Sequence, residues 1–203
     1  MPRDAQTVSD ALRRRAKALD RYLRRMELRY RRGEVPKADL KYAYAGAFVT
    51  FYTETESRLE ESFLGLLTGR IKPPRSVIRP LIEVKSDAVA RNILKGDRSF
   101  VDWLPYDRTR KRAQAFFSRG EPFYSLDKSR QKTFGRASIL RNAIAHRSGS
   151  ANRLFTSEFV EGKNLPPSDR KPTGYLRGYH ATSQRRISLH FAEMVASLDD
   201  LCT

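Results

Sequence analysis

The stretch PKADLKYAYAGAFVTFYTETESRLEESFLGLLTG, Pro36 to Gly69, decides the fold. Leu40, Tyr44, Phe48, Phe51, Thr55, Leu59, Phe63 and Leu66 recur every three or four residues. On a helix of 3.6 residues per turn they form one stripe, which predicts a helix beginning near Pro36 to Asp39, continuing to Thr68 and stopping at Gly69. Before it, Val8, Leu12, Leu19, Leu23, Met26 and Tyr30 mark a second amphipathic helix over Val8 to Arg32, started by Thr7 or Ser9, stopped at Gly33 and filled elsewhere with arginine. Two long helices joined by a short turn pack as an antiparallel pair.

The rest of the chain continues the pattern. After KPPR, the stretch Ser76 to Leu94 is expected to be helical and to end at Gly96. The aromatic segment SFVDWLPY leads into a helix over Arg108 to Ser118, closed by Gly120 and Pro122, and a further helix runs from about Asp127 to Arg147. The region 148–180 is rich in Pro and Gly and reads as a long loop, followed by a helix from Ser183 to Leu201 with Ile187, Phe191, Met194, Leu198 and Leu201 on one stripe. No segment alternates apolar and polar residues over a useful length, and Arg153 to Val160 is the one stretch that could form a short strand or hairpin. The expectation is an all-α antiparallel helical bundle of about five to six helices, a single domain over 1–203. Within it, 1–35 is a basic N-terminal helix, 36–148 the helical core, 149–182 a long loop and 183–203 the C-terminal helix.

Composition narrows the function. The 203 residues are 39% hydrophobic and 31% charged, enough to build one core under a water-facing surface. Forty basic residues, 29 Arg and 11 Lys, stand against 23 acidic ones, a formal charge of +17. Such an excess favours polyanions, and guanidinium forks suit phosphate, so nucleic acid is the expected partner; the alternative is an arginine-rich proteome. No run approaches the roughly 18 apolar residues of a membrane helix, and the N-terminus lacks an apolar signal segment, so a cytoplasmic protein with no membrane partner is expected. Cys202 has no partner for a disulfide, and three scattered histidines cannot supply a zinc cluster. With no GxGxxG, GxxxxGK[ST], HExxH or GxSxG present, no cofactor and no metal are expected.

The histidines carry what chemistry there is. His146 follows Arg141 by five positions in LRNAIAHRSG, but His190 follows Arg185 in the same way in RRISLH, so in so arginine-rich a chain the spacing alone means little. Helical geometry separates them. His190 borders the apolar stripe of the last helix and reads as structural. In the motif helix Phe134, Ala137, Leu140 and Ile144 make the buried stripe, whereas Ser138, Asn142 and His146 recur at four-residue spacing on the other side. Arg141 lies about 140° from His146 on an ideal helix, so a shared target requires the arginine to wrap around, a helix distortion, or a second copy of the helix.

Arg141, Asn142 and His146, in RNAIAH, resemble the motif of the HEPN superfamily of all-helical domains, in which nuclease members carry Arg, a polar residue and then His. The wider stretch FVDWLPYDRTRKRAQAFFSRG, with PFYSL and the motif helix, is similar to the RiboL-PSP type of HEPN domain. The resemblance implies metal-independent cleavage of RNA at a composite site in a homodimer. His146 would handle the proton of the 2′-hydroxyl or of the leaving oxygen, Arg141 the charge on the phosphorane oxygens, and Asn142 the ring orientation or a phosphate. It also implies a toxin, a phage-defence effector or an RNA-processing enzyme, with an antitoxin or defence-system protein as a further partner. The family often adds an acid from an earlier helix; Glu60 in LEESF fits that place better than Glu56 or Glu61, and a solvated helix face is the alternative. One departure stands out: Ser148 occupies the place where HEPN proteins paired with small nucleotidyltransferases carry Tyr. A non-catalytic α-helical module binding RNA or protein, and a structural helical protein whose charge is compositional, remain as the other readings.

Overall fold

The protein is described here by a computed structural model covering residues 3–73, 78–146, 148–180 and 183–202. It is all-α, as expected, and 70% helical. Eight α-helices lie among the described residues: α1 (Gln6–Arg31), α2 (Lys37–Leu67), α3 (Asp87–Lys95), α4 (Tyr106–Phe116), α5 (Lys128–Ala145), α6 (Gly149–Phe159), α7 (Pro172–Arg177) and α8 (Arg186–Cys202). A two-residue parallel pairing joins β1 (Arg3–Asp4) to β2 (Ile71–Lys72), with Arg3 opposite Ile71.

Six of the eight helices are those the sequence predicts, four of them from apolar stripes; α6 and α7 come out of the segment expected to be a loop, so the count of five to six was low. Ser148 caps α6, its Oγ accepting the Ala151 N–H at 3.3 Å. Ala151, Phe155 and Phe159 then recur every fourth residue and are buried, so Arg153 to Val160 is a helical face and not a strand. Pro172 opens α7 from its first position, where a missing N–H costs nothing. The third helix is shorter than expected. Its expected start, Ser76, lies outside the described residues, yet 78–86 is not helical. Pro80 cannot donate to a helical ladder. Around it the backbone pairs with the end of α4 instead, Leu81 N–H to Phe116 O and Ser118 N–H to Arg79 O, both at 2.9 Å. Helix α1 starts at Gln6, whose N–H is accepted by Asp4 Oδ1 at 2.9 Å; Thr7 and Ser9 lie inside the helix. Arg147, the expected last residue of the motif helix, and Ala181 and Thr182 of the expected loop lie outside the described residues.

The chain divides into two compact units. The first comprises Met1–Arg13, Glu54–Gly135 and Met194–Thr203. At its centre Phe63 meets Trp103, Phe117 and Phe123 with ring centroids 5.0 to 5.1 Å apart, and Tyr106 stacks on Phe134 at 5.2 Å. Gly65 lets β2 approach α2: a Cβ there would stand 2.4 Å from Ile71 Cδ1. The Tyr106 hydroxyl is satisfied locally, donating to Phe123 O at 2.8 Å.

The second unit comprises Arg14–Thr53 and Arg136–Glu193. Helix α1 folds back on α2 through the turn at Gly33, whose φ of 74° is the left-handed conformation that favours glycine. The core joins Phe51 to Phe191 at 4.2 Å and gathers Phe48, Phe159 and Tyr175 round His190 at about 6 Å. The buried row of α1 runs Leu12, Ala16, Leu19, Leu23 and Glu27, so a carboxylate occupies the last place of an apolar stripe.

Candidate functional site

Helix α5 supplies the motif. Phe134, Ala137 and Leu140 are fully buried, which fixes the rotation of the helix and leaves Asn142 and His146 exposed. Ser138 departs from the expected pattern: it is buried, and its hydroxyl lies 3.1 Å from the Tyr52 hydroxyl of α2. Asn142 and His146 alone of that face are open to solvent, because α2 covers the turn below them.

The helix ends at Ala145, and His146 keeps one helical bond, its N–H to Asn142 O at 2.8 Å. Arg141 reaches round the helix within the same chain: its Nη1 stands 3.0 Å from Asn142 Oδ1 and 3.2 Å from His146 Nε2. Of the three routes to a shared target, the wrapped side chain is the one taken, so a second copy is not needed to join Arg141 to His146. A guanidinium can only donate, so in this contact Nε2 accepts and the ring proton sits on Nδ1. The guanidinium also lies 5.9 Å from the centre of the Tyr52 ring, the edge of cation–π range. Tyr52 thus supports the motif twice, through Ser138 and under Arg141. Sequence reasoning missed it because it counted among no stripe and sits 86 residues from Ser138.

Glu60 belongs to the first unit, and its carboxylate is engaged there: Arg91 Nε donates to Oε1 at 2.6 Å and the Trp103 indole to Oε2 at 3.2 Å. Glu61 accepts from Arg58 Nη1 at 2.6 Å, and Glu56 is half-buried. Arg141, Asn142 and His146 are brought together at the end of α5.

His190 is buried, with 3% of its surface exposed, and its Nδ1 has no hydrogen-bond partner. Burial, and next the charge of Arg136, push its pKa down to about 3; Glu193 Oε2, 3.7 Å from Nδ1, does not offset this. It is a neutral core ring, in keeping with its place at the border of the stripe.

Among the described residues no group of three or more His, Cys, Asp or Glu side chains is placed to hold a metal ion, and no helix is long and apolar enough to cross a membrane. Comparison of the chain with protein-family models, with curated proteins and with solved structures found no match.

Proposed function

We propose that the protein is a metal-independent endoribonuclease of HEPN type that cuts RNA by attack of a 2′-hydroxyl, acting as a toxin or phage-defence effector. The observation that carries the reading is the Arg141 Nη1 to His146 Nε2 contact of 3.2 Å, with Asn142 on the same guanidinium, at an exposed helix end. When a phosphodiester enters, its oxygens compete for Arg141, whose fork suits phosphate better than a ring nitrogen. That frees Nε2 to take the proton of the 2′-hydroxyl. The O2′–P bond forms, the P–O5′ bond breaks, and the leaving oxygen takes a proton from an imidazolium, leaving a 2′,3′-cyclic phosphate and a 5′-hydroxyl. Arg141 meets the charge gathering on the phosphorane oxygens. In a homodimer with two motifs facing each other, one His146 serves as base and the other as acid. An antitoxin or defence-system protein would bind to restrain or release this activity.

The charge of +17 favours an RNA partner on either this reading or that of a non-catalytic RNA-binding module. An end-labelled single-stranded RNA incubated with purified protein in EDTA separates them. Fragments ending in 2′,3′-cyclic phosphate support the nuclease; an uncut strand, or cutting that EDTA abolishes, rejects it. Elution as a monomer at assay concentration would reject the composite site.

A further inference from the structure

A groove in the second unit is unrelated to RNAIAH in the residues that build it. Its floor is a carboxylate, Glu27, only 5% exposed. Glu27 accepts the Tyr44 hydroxyl at 2.9 Å and Arg177 through Nε at 2.9 Å and Nη2 at 3.2 Å, with Arg185 Nη1 at 3.3 Å. Burial alone would raise its pKa, but the hydrogen bonds from Arg177 and Tyr44 and the charges of Arg185 and Arg177 outweigh that and hold the carboxyl below its ordinary value. One buried negative charge thus fixes two guanidinium groups at the groove. A second pair repeats the device: Arg186, itself buried, donates to Asp169 Oδ2 at 2.7 Å. Gly178 leaves room for this pair, since a Cβ there would stand 2.1 Å from Asp169 Oδ2 and 2.2 Å from Arg186 Nη1 and would push the two side chains aside.

Both acids of this cleft are consumed by these pairs, and the cations left over set its sign; in the cleft that continues from it Asp20 accepts the Ser188 hydroxyl at 2.7 Å and Arg24 stands exposed on the same lining. Arg31, Lys37, Lys41 and Lys171 line the first cleft, are exposed, and have no ion pair among the described residues. The cleft measures about 830 Å³ and continues past Tyr179 into a second of about 470 Å³ that shares Glu27, Arg31 and Arg185 with it. Tyr179 stands where the two meet, 51% exposed, with the Arg185 guanidinium 4.7 Å over its ring. A track of free cations passing a half-exposed aromatic ring, backed on one face by a guanidinium, is an arrangement that holds a single strand, with phosphates on the cations and an unpaired base on the other face of the ring. A duplex offers no base face to such a ring, and a lone nucleotide does not need a track that runs on past it.

We propose that this groove binds single-stranded RNA, its phosphates held by Arg31, Lys37, Lys41 and Lys171 and a base stacked on Tyr179. The proposal rests on the RNA partner named above but not on cleavage. It is tested by fluorescence anisotropy with a labelled single-stranded oligoribonucleotide, using His146→Ala protein so that the strand stays whole. Tyr179→Ala is expected to weaken binding about tenfold. Lys37→Ala with Lys41→Ala is expected to lower the slope of log affinity against log salt by about 1.4, two contacts at about 0.7 each. Lys85→Ala with Lys95→Ala, exposed lysines of the first unit, should leave the slope unchanged. The proposal is overturned if the groove variants bind as the parent does, if the control pair loses as much, or if a duplex of the same sequence binds as tightly. A strand that binds in the groove but is never cut by the wild type leaves this site standing and removes the nuclease. A strand that is cut while the groove variants bind normally does the reverse.

Discussion

His146 and His190 show how environment divides two residues of the same type. His146 ends its helix in solvent, so little packing depends on it. Substituting His146→Ala should leave the thermal unfolding midpoint within about 1 °C of wild type, as surface changes usually do, and any loss of RNA cleavage then reports chemistry. Arg141→Lys keeps the charge but gives up the planar fork that suits a phosphate while Nη1 holds Asn142 and His146; cleavage should fall at least about tenfold, measured as the single-turnover rate. His190 titrates only with difficulty. Its folded pKa is about 3, below the 6.5 of an exposed histidine, so at intermediate pH the unfolded chain binds a proton that the folded one refuses. Stability contributed by the neutral ring is therefore complete above about pH 6.5 and is lost as pH falls from there towards 3, by up to about 1.4 kcal/mol per pH unit. His190→Leu, which fills the aromatic pocket without a titrating nitrogen, should flatten that part of the curve of urea midpoint against pH. An unchanged slope would mean that other groups govern it.

At the scale of elements, what was legible in the sequence was what a stripe writes down. Helices α1, α2, α5 and α8 are long enough for their apolar period to outweigh individual residues, and their bounds fall within a few residues of expectation. The errors lie where short-range chemistry decides. Pro80 breaks the run that was expected to be helix from Ser76, and the two short helices α6 and α7 were hidden by the Pro and Gly around them, although Ser148 and Pro172 stand at their starts as cap and first-turn signals. Two substitutions test this account of α6. Ser148→Ala should cost about 1 kcal/mol by removing the cap. Phe159→Ala should cost about 3–5 kcal/mol, because the ring is fully buried against Phe155, Tyr175 and His190. Chemical denaturation reads both. If Phe159→Ala costs no more than the cap, α6 is not packed as described.

Across the whole molecule the site residues were only partly legible, for a reason of chain distance. RNAIAH is readable because Arg141, Asn142 and His146 are close in sequence and the contact is made within one helix end. The Glu27 cluster joins residues 150 positions apart, and no local pattern announces it. One signal was present: Glu27 falls where the row Leu12, Ala16, Leu19, Leu23 demands an apolar residue, and a carboxylate on a buried face calls for a cation from elsewhere in the chain. The same excess of cations that makes RNA the expected partner also makes weak, salt-sensitive adhesion to any nucleic acid easy, so binding alone would not establish a nuclease. The most direct measurement is the degradation of total RNA in EDTA by wild type and His146→Ala protein of matched thermal stability. Wild-type protein should cut and the variant should not. Equal cutting by both, or no cutting by either, would contradict it.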